Sequence, residues 1–160
     1  MVQLRPLTQP EYETWLADEI QVYADEKVQS GNWDAAEALE RSRAEHDKLL
    51  PQGLATPDNY LYRVMAEPEP GAAPVAVGMI WLAVPPWKPP VAFIYDFVID
   101  GAYRRRGYAR QALQAIEPKV RALGLDTIGL HVFGHNHAAR ALYEQAGYEI
   151  TNINMAKKLK

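Results

Sequence analysis

Residues 91–109 read VAFIYDFVIDGAYRRRGYA, and residues 136–148 read NHAARALYEQAGY. In the first stretch, residues 91–99 are mostly aromatic or β-branched, as a strand requires. Ala109, Ala112, Leu113, Ile116, Val120 and Leu123 then recur at helical spacing. Between the two lies Arg104-Arg105-Arg106-Gly107-Tyr108-Ala109, a turn that feeds a helix N-terminus. Such a terminus exposes unpaired backbone N–H groups at the positive end of the helix dipole, and so makes an anion site. Gly107 lets the backbone approach a phosphate closely, and Ala109 keeps the next approach unobstructed. The three arginines add charge and forked donors. No Gly-Lys-Ser/Thr follows and G-x-G-x-x-G is missing, so this is neither a Walker loop nor a dinucleotide fingerprint.

Working outward, residues 2–6 predict a short strand. Thr8 and Glu11 have capping-box spacing, and Tyr12, Trp15, Leu16, Ile20 and Tyr23 follow on one helical face up to Gly31. A second helix is expected from near Asp34 to about Leu50, stopped by Pro51 and Gly53. Strands are expected at 60–66, 75–83 and 91–99. Their short loops suggest an antiparallel meander. The helix at 107–123 should kink at Pro118. A strand at 127–133, a helix at 136–146 and a last strand at about 148–159 complete the pattern. The strand–helix–strand unit implies a parallel crossover. The fold class is therefore α/β (α+β): a mixed, mostly antiparallel central sheet with flanking helices.

The bulk properties narrow the function classes. The 160 residues suit one domain, 1–160, large enough for a real core. A net charge of −3 does not suggest a nucleic-acid partner, and mild acidity suits a cationic substrate. With no cysteine there is no disulfide, thiol nucleophile or acyl-cysteine intermediate. Absence of cysteine also fits a cytoplasmic protein. No stretch reaches the ~20 apolar residues of a membrane span. Ser30 and Ser42, the only serines, lie in the N-terminal helices without a nucleophile elbow. His131, His135 and His137 lack the spacing of a metal site, so no metal is expected.

Two motifs, in order and each at the right junction, resemble those of the GNAT superfamily of N-acetyltransferases. Arg104, Gly107 and Ala109 match Arg/Gln-x-x-Gly-x-Gly/Ala. Asn136, Ala139, Leu142, Tyr143, Gly147 and Tyr148 match Asn-x-x-Ala-x-x-Leu-Tyr-x-x-x-Gly-Phe/Tyr. Residues 1–90 match only in outline. The resemblance implies a sheet whose fourth and fifth strands splay at a bulge, with acetyl-CoA as co-substrate. Phe97, Val98 and Ile99 would pair with pantetheine. The turn of Arg104, Arg105, Arg106, Gly107, Tyr108, Ala109 and Arg110 would hold the pyrophosphate. Asn136 would bond the pantetheine or cap its helix, beside Ala139. The implied reaction is direct attack of an amine on the thioester, without an acyl-enzyme. A non-catalytic acyl-CoA sensor is the competing class, and the intact Asn136 and Tyr143 argue against it.

By the same resemblance Tyr143 is the proton donor to the departing thiolate. The base is left open. Asp96 is the one carboxylate in the centre of its strand, costly there unless hydrogen-bonded or in a cleft. His131 falls in strand 127–133, where some family members carry a catalytic glutamate, and its ordinary pKa suits a base. Tyr95 or a water chain are further options. By analogy, the N-terminal helices and the 84–90 loop line the acceptor site, with Trp15, Tyr23, Trp33, Trp87 and the pairs Asp18-Glu19 and Asp25-Glu26. A homodimer pairing through the edge of the last strand is also expected.

Overall fold

A computed structural model describes residues 1–86 and 90–159. Trp87, one of the expected acceptor-site aromatics, lies outside the described residues. Five strands form one sheet in sequence order: β1 (Val2–Pro6), β2 (Asn59–Ala66), β3 (Val75–Ala83), β4 (Ala92–Ile99) and β5 (Ile128–Leu130). β1 to β4 are antiparallel neighbours, and β5 joins β4 in parallel. The helices are α1 (Gln9–Gln29), α2 (Ala38–Leu49), α3 (Tyr108–Ala122) and α4 (His137–Gln145). α3 is the crossover that parallel pairing of β4 with β5 requires. Among the described residues no helix is long and apolar enough to cross a membrane.

β3 sits at the centre, and its alternation builds a core on each face. Met79 and Trp81 pack with Tyr12, Trp15 and Leu50, on the face covered by α1 and α2. Ile80 and Leu82 pack with Leu113, Ile116 and Val120 of α3. Gly78 marks the closest approach of β3 to β4, since a Cβ there would collide with the Val98 carbonyl oxygen.

Glu11 ties the start of α1 to the sheet. Its carboxylate accepts from the Thr8 backbone N–H at 2.8 Å and from the Thr8 hydroxyl at 3.0 Å. It also pairs with Arg5 at 2.7 Å and with Arg63 at 3.3 Å. The Arg5 hydrogen bond, against the cost of burial, lowers its pKa to about 2. Glu11→Ala is expected to cost about 1–2 kcal/mol, the scale of a lost helix cap plus a partly exposed ion pair. A depressed carboxylate pKa stabilises above the unfolded value and loses that contribution as pH falls through the folded one. The gap between wild-type and variant urea midpoints should therefore be full at pH 6 and narrow toward pH 2.

Several expectations need correction. The second helix starts at Ala38 rather than near Asp34, because the Asp34 carboxylate accepts from the Ala36 N–H at 2.9 Å. That Asx-type turn competes with helix. β5 covers only 128–130 of the expected 127–133. No strand forms at 148–159; residues 149–159 are exposed and without regular structure. The apolar residues there, Ile150, Ile153, Met155 and Leu159, are all exposed and, among the described residues, join no core cluster. The expected homodimer contact through that strand loses its basis.

Candidate active site

The site begins with a register fault in β4. Trp81 faces Asp96 while Leu82 faces Ile94, so Tyr95 is an extra residue in the ladder. A bulge re-aims side chains and ends regular pairing. Here it turns two consecutive residues toward α1. The Tyr95 ring lies 4.9 Å from that of Trp81, and the Asp96 carboxylate accepts from the Trp15 indole N–H at 2.9 Å. On the other edge, β5 follows β4 only as far as the Ile94–Leu130 pair. Beyond it the strands part, leaving a cleft of about 330 Å³. β4 residues 93–97 form one wall. Leu130–Phe133, Asn136, Ala139 and Tyr143 form the other, and Glu19, Tyr23, Glu26 and Lys27 of α1 line the remaining side.

Asp96 keeps partial access to this cleft although its carboxylate lies deep in the protein. Burial raises its pKa, while the Trp15 and Phe97 N–H bonds and a hydrogen bond with Glu19 oppose the rise. Glu19 is pushed up to about 9, by burial first and then by the Asp96 charge. Burial and the neighbouring Asp96 charge therefore both favour the protonated form of Glu19. Tyr143 is also raised, by burial and then by Asp96, so its hydroxyl keeps its proton. Among the described residues that hydroxyl has no partner within the chain.

At the end of β4 the chain turns through Gly101–Tyr103 into α3. Arg105 and Gly107 have φ of 63° and 80°. The first turn of α3 has no side-chain cap, and its first helical bond is Gln111 N–H to the Gly107 carbonyl at 3.2 Å. The N–H groups before Gln111 therefore remain available in a concave turn. A non-glycine residue in the left-handed region is strained, and such strain concentrates at functional sites. Arg104, Arg105, Arg106, Gly107 and Arg110 are exposed. Their roles are unequal: Arg104 donates through Nε to the Ile99 carbonyl at 2.8 Å and braces the end of β4. The Tyr108 ring is buried in the core, leaving only its backbone N–H for a ligand.

The remaining expected site residues divide. Phe97 lines the cleft, whereas Val98 packs toward α1 and Ile99 is core. Asn136 caps α4 by accepting the Ala139 N–H at 3.1 Å, so its amide nitrogen is what remains for a ligand. His131 lies beyond the end of β5, exposed at the cleft rim. Burial and then the Lys27 cation hold its pKa below the usual imidazole value. Each acidic pair of α1 is split. Successive helical residues are ~100° apart, so Glu19 and Glu26 line the cleft while Asp18 and Asp25 are exposed. Trp15 is core and orients Asp96 rather than facing an acceptor. Lys27 was missed in the sequence; its cue was the spacing of Glu19, Tyr23 and Glu26 along one stripe that reaches it.

A bulged fourth strand parting from a short parallel fifth, with an uncapped helix after the bulged strand, defines the class of the fold. The model of the Acetyltransferase (GNAT) family matches residues 8–148, and the chain belongs to that family. It is 38% identical to the uncharacterized N-acetyltransferase YycN of Bacillus subtilis over 159 residues, 99% of both chains. It is 34% identical to YdgE of the same organism, across 98% of this chain and 97% of that one. The crystal structure of YycN superposes with a TM-score of 0.89, covering 100% of this chain and 99% of that one. AAC(6')-Iy, in complex with the bisubstrate analog CoA-S-monomethyl-acetylneamine, shares the fold at 16% identity and a TM-score of 0.64. The match covers 100% of this chain and 99% of that one.

Proposed function

We propose that this protein is a cytoplasmic enzyme that moves an acetyl group from acetyl-CoA to an amine by direct attack. The observation that carries the reading is one continuous path. The uncapped N-terminus of α3 leads along the unpaired edge of β4 to a cleft where the Tyr143 hydroxyl and the Asp96 carboxylate both reach. Family membership supports acetyl transfer, and a neighbour of the same fold was crystallised with a CoA-containing analog. When bound, acetyl-CoA supplies an activated thioester carbonyl. The N–H groups of the α3 turn, with Arg105 and Arg106 beside them, hold its phosphates. The open edge of β4 pairs with the extended pantetheine as an added strand would. Asp96 takes the proton of the attacking amine, and Tyr143 gives a proton to the leaving sulfur.

Acetyl-CoA at 100 times its dissociation constant should stabilise the fold by about 2.7 kcal/mol, or roughly 5–10 °C in Tm for a chain of this size. Gly107→Asp should abolish that shift. It puts a Cβ at a left-handed position and a negative charge at the phosphate turn. The readout is the shift relative to each protein's own unliganded melt, so a change in baseline stability does not confuse it. A wild-type melt unmoved by millimolar acetyl-CoA would sink the proposal.

A further inference from the structure

Lys27 is a cation held by rings. Its Nζ lies 5.3 Å from the centroid of Tyr23, 5.4 Å from Trp33 and 5.8 Å from Phe133. The Tyr23 and Trp33 rings meet edge-on at 5.6 Å and 89°, so they form two walls of a corner, and the Trp33 ring also carries the Arg41 guanidinium at 4.8 Å. Among the described residues no carboxylate pairs with Lys27. Its charge is balanced by π faces alone, an arrangement that elsewhere serves to bind ammonium ligands. Tyr23, Phe133 and Lys27 all line the same cleft as Asp96 and Tyr143.

We propose that Tyr23, Trp33 and Phe133 form a cation subsite for the acceptor, its cleft-side place held in the free protein by the chain's own Lys27 while Arg41 stays on Trp33 outside the cleft lining. The acceptor then carries a second cationic group besides the amine that reacts. This deepens, and for its acceptor half rests on, the transfer reading above. The cleft has two zones along α1. The reacting nitrogen belongs beside Asp96, whose neighbour on α1 is Glu19. Tyr23 and Lys27 are one and two helical turns further on, ~6–12 Å along the axis at 1.5 Å per residue. A linear diamine of that span places one nitrogen at Asp96 and the other in the cage, where it displaces the Lys27 ammonium. A monoamine of the same chain length reaches only the first zone.

The cage is tested without acetyl-CoA, by titrating tetramethylammonium into the protein and following heat or tryptophan fluorescence. Lys27→Ala empties the place held by the ammonium and should bind the probe about tenfold tighter than wild type, the scale of a desolvated cation–π contact. Adding Trp33→Leu should remove that gain. Lys27→Ser serves the same purpose if the Ala variant folds poorly. Equal affinity in wild type and both Lys27 variants overturns the proposal, as does a gain that survives loss of Trp33. With acetyl-CoA present, wild type should favour a linear alkyl diamine over the monoamine of equal length in kcat/KM. The ratio should collapse toward unity in Phe133→Leu. Equal wild-type use of both amines overturns the acceptor half and leaves acetyl transfer standing. If transfer itself fails, the titration still decides the cage.

Discussion

Asp96→Asn is expected to lower kcat by about 10²–10⁴, the range of general acid–base catalysis. The substitution is close to isosteric, and the amide oxygen can still accept from the Trp15 indole N–H that now meets Asp96 at 2.9 Å. What disappears is the proton acceptor in the cleft. The pH dependence makes the test specific. Burial raises the Asp96 pKa, so the acid limb of the kcat profile should lie above the ordinary carboxylate value of about 3.9. The Asn variant should lose that limb. Stability should move the other way. A carboxyl with a raised folded pKa destabilises increasingly as pH climbs from its unfolded pKa to its folded one, and keeps that full cost at higher pH. Asp96 therefore weighs on the fold at neutral pH, and its charge also pushes up Glu19. Removing it should raise Tm at pH 7 while activity falls, a trade expected of active sites. His131→Ala should cost much less, because His131 is at the exposed rim beyond β5. A His131 variant more damaged than Asp96→Asn would transfer the base to the imidazole.

The sheet was legible because its signals are local. Strand boundaries at β2, β3 and β4, the start of α3 at Gly107 and the Asn136 cap follow from composition, spacing and turn chemistry, and the structure reproduces them within a residue or so. The site was legible only through its motifs. The bulge at Tyr95 depends on a register between two strands, which no single-strand pattern encodes. It decides that Asp96 faces α1, while β5 stops at Leu130 and leaves His131 outside the strand. The acidic pairs of α1 illustrate a different limit. Helical phase separates Glu19 from Asp18, but only the packed position of Trp15 fixes which of them turns inward. The last strand failed although Ile153, Met155 and Leu159 would share one face of an extended chain, because among the described residues no strand of the sheet pairs with that segment.

Tyr143→Phe should also lower kcat by about 10²–10⁴, with acetyl-CoA affinity nearly unchanged. The ring of Tyr143 meets Tyr148 at 5.7 Å in an edge contact and packs against the cluster of Ile80, Leu113 and Ile116. Phenylalanine keeps all of that, so α4 should stay in place. The hydroxyl is the only group lost, and it has no partner within the described chain whose loss would disturb the fold. Burial and the Asp96 charge hold its pKa above the usual phenol value. It is therefore protonated throughout the working range and suited to donate to a thiolate rather than to accept from an amine. The phosphate turn lies at the far end of β4, and nothing there changes. The expected signature is lost chemistry with retained binding. A thiolate is a weakly basic leaving group, so the loss could sit at the low end of that range. Slow product release in the wild type could hide part of it in steady state. Single-turnover rates remove that ambiguity. A Phe variant with an undiminished single-turnover rate would make Tyr143 a packing residue and leave the thiolate to be protonated by solvent.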